Sequence, residues 1–260
     1  HNEQTGKISY PSVRRGNMRC VAGCKSNIGR VRENNQDAVV LRTFEKRGDN
    51  FIVLAVCDGV GGLEHGEMAS SLAVARIEAW FNEITEWIDI AGVDGELLFS
   101  HMKDLAEECN LLVRECRTAR GMEMGTTLSM LMIVRNTYYI IQVGDSRVYR
   151  YNDGVLEQLT VDASVTRIKN GRMKSYLDNY LGKQEELWFT SAVGNVVERD
   201  LFVVCSDGFY HRLLPEDFRE YEKKLRKVKK VDEACEKLIE RMISRGERDN
   251  ITVGVVAVNG

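Results

Sequence analysis

Apolar positions along this chain recur in two rhythms, short strand-like runs and longer helix-like stripes. The short runs predict strands at about 18–24, 37–44, 51–57, 127–134, 137–143, 147–151, 187–193, 200–205 and 251–258. Asn152-Asp153-Gly154 lies between Val148-Tyr-Arg-Tyr151 and Val155-Leu156 and has the composition of a tight hairpin turn. Ala69, Leu72, Ala73, Ile77, Trp80 and Phe81 make one helical apolar face, and Leu98, Met102, Leu105, Cys109, Leu112 and Cys116 make a second. Ala234, Leu238 and Met242 predict a third helix over 231–244, while the basic run Glu222 to Lys230 reads as a solvated helix face or a loop. Residues 1–17 carry Pro11 and the pair Arg14-Arg15 without any period, and read as a tail. Strands cluster as hairpins and helices fall in adjacent segments, which predicts an antiparallel α+β layered domain rather than a doubly wound parallel sheet.

Composition narrows the function classes. A chain of 260 residues, 43% hydrophobic and 29% charged, suits one large globular domain or two small ones. A formal net charge of −3 gives no reason to expect a nucleic-acid surface. No apolar run approaches the roughly 20 residues of a membrane span. Seven cysteines without a regular framework point to reduced thiols in a cytoplasmic setting. Cys20 and Cys24 have no second pair to complete a zinc site. The chain opens on His1 without a secretory apolar region, as an excised fragment or a chain with an added residue would.

The candidate chemistry lies in five aspartates at strand ends. Asp58, Asp145 and Asp207 follow the apolar runs beginning at Phe51, Tyr139 and Leu201, whereas Asp37 and Asp249 precede apolar runs. In antiparallel sheets the start of one strand adjoins the end of its neighbour, so all five can gather at one edge. Such a carboxylate cluster repels itself unless cations neutralise it. Oxygen donors of this kind suit magnesium or manganese. Gly59 and Gly208, which directly follow Asp58 and Asp207, allow close backbone approach and expose a carbonyl as a further ligand. Two such ions would activate a water and neutralise phosphate oxygens.

Eight ordered motifs then carry a resemblance. Arg32-Glu-Asn-Asn-Gln-Asp37, Val56-Cys-Asp58-Gly-Val-Gly-Gly62, Gly66-Glu-Met-Ala-Ser70, Gly125-Thr-Thr-Leu128, Val143-Gly-Asp145-Ser-Arg147, Leu159-Thr-Val-Asp162, Cys205-Ser-Asp207-Gly208 and Asp249-Asn-Ile-Thr252 span about Cys20 to Val258. Together they resemble the metal-dependent protein phosphatases of type 2C, in particular the bacterial branch. The resemblance implies a four-layer α-β-β-α sandwich, two antiparallel sheets flanked by antiparallel helices, with a binuclear metal centre at one end. It implies that 18–260 is the catalytic domain. Asp37, Asp58, the Gly59 carbonyl, Asp207 and Asp249 would hold two manganese or magnesium ions, with Asp58 bridging them. Asp145 matches the position of a third, weaker ion shared with Asp207. Arg32 would clamp the substrate phosphate, a role that a planar guanidinium suits. The implied reaction is direct attack of a metal-bridging water on phosphoserine or phosphothreonine in proteins, opposite a serine/threonine kinase in the same pathway.

Several positions depart from the pattern. Val60 stands where many eukaryotic relatives carry a histidine, a candidate general acid, and His65 is the nearest imidazole, with a loop or helix-capping role as its other reading. Asp162-Ala163-Ser164 replaces Asp-His-Ser, and His211 stands where an acidic residue is common. The segment near 164–182 corresponds to a shortened flap, which implies altered substrate specificity. Two other readings stay open: a catalytically silent phosphoprotein-binding relative, and one module of a longer signalling protein. The retained aspartates argue against the first.

Overall fold

Strands covered on both faces are apolar throughout, whereas edge strands alternate, and the strands of this chain divide along that line. The computed structural model describes residues 18–60, 63–169, 172–183 and 187–259. The expected tail over 1–17 lies outside the described residues. In chain order the elements are β1 (Arg19–Asn27), β2 (Asp37–Lys46), β3 (Asp49–Asp58), α1 (Gly66–Thr85), α2 (Gly95–Arg120), β4 (Leu128–Val134) and β5 (Thr137–Val143). There follow β6 (Arg147–Asn152), β7 (Val155–Gln158), β8 (Ser164–Lys169), β9 (Arg172–Leu177), β10 (Thr190–Asn195) and β11 (Leu201–Cys205). The chain closes with α3 (Asp207–Tyr210), α4 (Pro215–Leu225), α5 (Val231–Ser244) and β12 (Ile251–Asn259).

Two five-stranded antiparallel sheets form, ordered β10-β5-β4-β3-β2 and β1-β12-β11-β6-β7. The central strands β4 and β11 are buried at every residue, while the edge strand β10 alternates half-buried and exposed positions. Along β3 the period-two pattern resolves into two cores. Phe51, Val53 and Ala55 face α1 and α2, packing with Ala73, Ile77 and Phe81, and the Phe51 and Phe81 rings stack at 5.1 Å. Ile52, Leu54 and Val56 face the other sheet and meet Phe202, Val204 and Val256. The sheets close tightly at Gly254, where a Cβ would lie 2.4 Å from Leu54 Cδ1. On the outer face of the second sheet, Val203 and Val255 pack against Phe218 of α4 and Leu238 of α5. The α+β sandwich expected from the sequence is the fold observed.

The structure departs from the sequence reading in detail. β10 begins at Thr190, later than the predicted strand at 187. The segment read as a shortened flap contains a two-stranded hairpin, β8 with β9, paired from Ser164↔Leu177 to Lys169↔Arg172. The basic run from Glu222 begins on the last turn of α4, in keeping with the helix-face alternative, although the start of that helix at Pro215 was not read. Pro215 at its first turn and Asp217, whose Oδ2 accepts the Leu214 amide at 2.9 Å, were the signals for it. Among the described residues no helix is long and apolar enough to cross a membrane.

Candidate metal centre

The register of the sheets delivers the five aspartates to one end. Asp37 opens β2 directly opposite Asp58 at the end of β3. In the other sheet β11 ends with Cys205 paired to Val253, so Asp207 and Asp249 lie just beyond that last rung. Asp145 sits in the turn where the chain passes from β5 in one sheet to β6 in the other. That turn bends at Gly144 (φ 107°), against which Thr127 packs.

Hydrogen bonds hold the Asp37 carboxylate and the Asp58 backbone. The Ser206 hydroxyl donates to Asp37 Oδ2 at 2.8 Å and accepts the Thr252 amide at 3.0 Å, joining the sheets. The Asp58 amide donates to Thr127 Oγ1 at 3.0 Å, and its carbonyl accepts the Thr127 amide at 2.8 Å and Thr126 Oγ1 at 3.0 Å. The Thr127 hydroxyl meets that of Ser146 at 2.8 Å, and the Ser146 carbonyl accepts Ser129 Oγ and Gln142 Nε2. Asp58 and the Asp145 turn therefore rest on one buried polar network. Sequence reasoning quoted Thr126, Thr127, Ser146 and Ser206 in motifs without giving them this role; the signal at Ser206 was a hydroxyl ending an apolar strand.

Arg32 lies in the loop before β2, and its Nη2 donates to Asp249 Oδ2 at 2.6 Å. Asn250 anchors that loop. Its Nδ2 donates to the Ile28 and Asn34 carbonyls at 2.9 and 3.0 Å, and its Oδ1 accepts the Gln36 amide at 2.9 Å. Gly59 passes so close to Gly66 that a Cβ on it would stand 2.6 Å from the Gly66 carbonyl carbon. Gly208 is tighter still, with a Cβ position 2.1 Å from the Asn250 carbonyl oxygen. Gly208→Ala is expected to destabilise the fold by about 1–3 kcal/mol, because backbone must give way; a denaturant melt measures this.

Burial and mutual repulsion dominate the electrostatics. Burial pushes Asp37 up to about 6, with Asp207 and Asp249 adding to the rise and hydrogen bonds from Thr252 and Ser206 opposing it. Asp58 is driven well above the carboxylate range by burial and then by Asp37, Asp207, Asp145 and Asp249. Asp145 rises to about 6 through burial, Asp207 and Asp162. Asp207 is raised by burial, with Asp249 and the unforeseen Glu247 contributing and His211 opposing. The donor set suits hard cations. Among the described residues no group of three carboxylate, thiol or imidazole side chains is already gathered around one point. Ions that retain several waters need only one or two carboxylates each, so the residues fit manganese or magnesium bound largely through water.

These shifts set a pH dependence. Asp37 and Asp145 bind a proton more tightly in the folded chain than in the unfolded one, so their stabilisation is complete at low pH and is lost as pH rises from about 4 to about 6. For Asp145 the rise corresponds to about 3 kcal/mol. Asp217, lowered by its arginine partners, acts only below this window. With divalent ions chelated, the thermal midpoint is expected to be higher near about pH 5 than near about pH 7. A midpoint rising with pH across that range would contradict this electrostatic picture.

The remaining sequence candidates occupy the rim. His65 is the N-cap residue of α1, in keeping with the loop or helix-capping reading, and caps through its backbone, its side chain making no capping bond and its Nδ1 standing 3.8 Å from Glu67. Exposed His211 ends α3 near Asp145 and Asp207. Asp162 receives Arg147 Nη2 at 2.7 Å and Nε at 3.0 Å, and the same guanidinium lies 3.7 Å over the Tyr210 ring. Arg147 is therefore a clamp beside the cluster. Cys24 with Arg30, and Cys235 with Arg241, have the Cys-x5-Arg spacing of thiolate phosphatases. Cys24 lies within β1 and Cys235 inside α5. Burial, followed by Asp232, pushes both thiols up, away from a reactive thiolate.

Comparison with known proteins places these features in context. A family model described as protein phosphatase 2C matches residues 29–243. The serine/threonine phosphatase stp of Listeria monocytogenes is 29% identical over 244 residues, covering 89% of this chain and 93% of that protein. The serine/threonine protein phosphatase PstP of Mycobacterium tuberculosis is 28% identical over 90% of this chain but only 44% of its own length. The crystal structure of the PstP catalytic domain in complex with 2 manganese ions superposes with a TM-score of 0.70 at 26% identity, covering 93% of this chain and 99% of that one. PppA, a regulatory component of the type VI secretion system in Pseudomonas aeruginosa, gives a TM-score of 0.71 at 26% identity over 92% and 97% of the two chains.

Proposed function

This chain belongs to the protein phosphatase 2C family and is a metal-dependent serine/threonine protein phosphatase, and we propose that Asp37, Asp58, the Gly59 carbonyl, Asp207 and Asp249 hold its two divalent ions. The observation that carries this assignment is the convergence of these four carboxylates from two sheets. Among the described residues, Arg32 is the one cation hydrogen-bonded to any of them. When bound, manganese or magnesium would neutralise this charge, acidify the attacking water and withdraw charge from phosphate oxygens. Asp145, with Asp207, is assigned to a third, weaker ion.

The chain's own residues supply placement. Arg32 offers a planar fork to two phosphate oxygens, and Asn250 fixes the loop that presents it. Ser206 holds the Asp37 carboxylate and Thr127 the Asp58 backbone, so these positions are set before substrate arrives. Val60 carries no proton to give the leaving alkoxide.

Its substrates are phosphorylated proteins, and we assign their phosphorylation to a serine/threonine kinase of the same pathway. The seven free thiols support a cytoplasmic site of action. Retention of all the aspartates weighs against a silent, phosphoprotein-binding role. Hydrolysis of an aryl phosphate and of a phosphothreonine peptide, with manganese, magnesium or chelator, tests the reading. Turnover should require a divalent ion, and its absence on both substrates would favour the silent alternative.

A further inference from the structure

The turn that carries Asp249 is held by a side chain outside every motif quoted above. α5 ends in a left-handed turn at Gly246 (φ 87°), and the Glu247 amide donates back to the Met242 carbonyl at 3.2 Å. The Glu247 side chain then folds forward. Its Oε1 accepts the backbone N–H of Arg248 at 2.8 Å and of Asp249 at 3.1 Å. Its Oε2 stands 3.6 Å from Arg212 Nε, and the side chain is only 8% exposed. Arg212 follows the single turn α3 that starts at Asp207, and its carbonyl accepts Arg245 Nη1 at 2.7 Å. One buried carboxylate therefore links the turn bearing Asp207 to the turn bearing Asp249.

We propose that Glu247 is a positioning residue for the metal centre: it fixes the direction of Asp249 and its spacing from Asp207, and thereby sets the affinity for the ion those two carboxylates hold. The inference rests on the metal assignment proposed above. Two amides converging on one oxygen orient the turn more narrowly than either would alone. The Arg212 contact compensates a charge that would otherwise be buried without a partner. An aspartate, one methylene shorter, can still accept a neighbouring amide, as Asp94 does from Glu96, but cannot also hold its second oxygen near Arg212, whereas a glutamine keeps the oxygen that accepts both amides and gives up the charge and the acceptor facing Arg212.

Manganese titration of the full chain without substrate, alongside thermal melts, tests this with Glu247→Ala, Glu247→Asp and Glu247→Gln. The Ala and Asp variants are expected to bind manganese about 10–100-fold more weakly, the usual cost of losing a group that orients a metal ligand. The Gln variant, which keeps both amide bonds but not the Arg212 contact, should lose less affinity than the Asp variant. A merely structural residue would lower the melting midpoint and leave ion affinity untouched, and that result would overturn the proposal. Equal weakening in the Gln and Asp variants would also overturn it, and this pair decides the matter even if the Ala variant does not fold. Wild-type chain that binds no manganese would overturn the metal assignment as well, whereas normal binding by Glu247→Asp would overturn this inference alone.

Discussion

Asp207→Asn is expected to reduce metal-dependent hydrolysis by at least about 100-fold, since removing a ligand should cost no less than removing a group that only orients one. The substitution changes charge and almost nothing else. The backbone bond from the His211 amide to the Asp207 carbonyl, at 3.0 Å, does not involve the side chain. In the ion-free protein the carboxylate is already disfavoured by burial and by Asp249 and Glu247. Neutralising it should therefore leave the chelated variant at least as stable as wild type at neutral pH. Loss of activity together with an unchanged or higher melting midpoint is the signature of a ligand, because a residue needed for folding would lower both. Initial rates on a phosphothreonine peptide, with melts in chelator, check it; a variant retaining full rate would remove Asp207 from the centre.

The second large effect falls on Arg32. Arg32→Ala is expected to lower kcat/KM by about 10–150-fold, corresponding to about 1.5–3 kcal/mol for hydrogen bonds to a charged group. Arg32→Lys should recover part of that loss, since an ammonium restores charge but not the two-pronged geometry. A small aryl phosphate and a phosphopeptide should suffer alike, because the clamp acts on the phosphate they share. Arg32 also pairs with Asp249 at 2.6 Å, so manganese affinity must be measured in the same variants to separate loss of the clamp from a disturbed ligand. Unchanged kcat/KM in the Ala variant would reassign Arg32 to a purely electrostatic partner of Asp249.

How far the sequence could be read depended on how local each signal was. The strand polarity of the five aspartates is a local property, and it allowed their placement at one end of the sheets, because antiparallel pairing sets starts beside ends. β3 is apolar at every position from Phe51 to Cys57, so its sequence marked a strand but not the division of its side chains between two cores. The helices α1, α2 and α5 were visible because their apolar stripes are continuous. α4 was read only as one alternative for its basic end, because that basic surface outweighed two small signals of its start, Pro215 and Asp217. The β8–β9 hairpin lacks an apolar period, and the one local signal in Ser164–Leu177, the dipeptide Asn170-Gly171, went unread. What holds the site is hardest to see: Ser206 reaches Asp37 across 169 residues of chain, and Asn250 reaches Gln36 across 214. No spacing rule spans such distances. The Cys-x5-Arg spacings at Cys24 and Cys235 make the reverse point, since a linear pattern persists there where burial forbids the chemistry.

The centre proposed here takes Asp37 and Asp58 from one sheet, Asp207 and Asp249 from the other, and Asp145 from the turn between them. The gap between the sheets is thus a working dimension of the enzyme, set by the interior rather than by the cleft. Leu54 against Gly254 acts as a spacer of fixed thickness. A methyl group added there, far along the strands from any aspartate, would splay the two halves of the centre like the jaws of a caliper opened at its hinge. Drift in the core of this protein is therefore subject to selection on turnover as well as on folding.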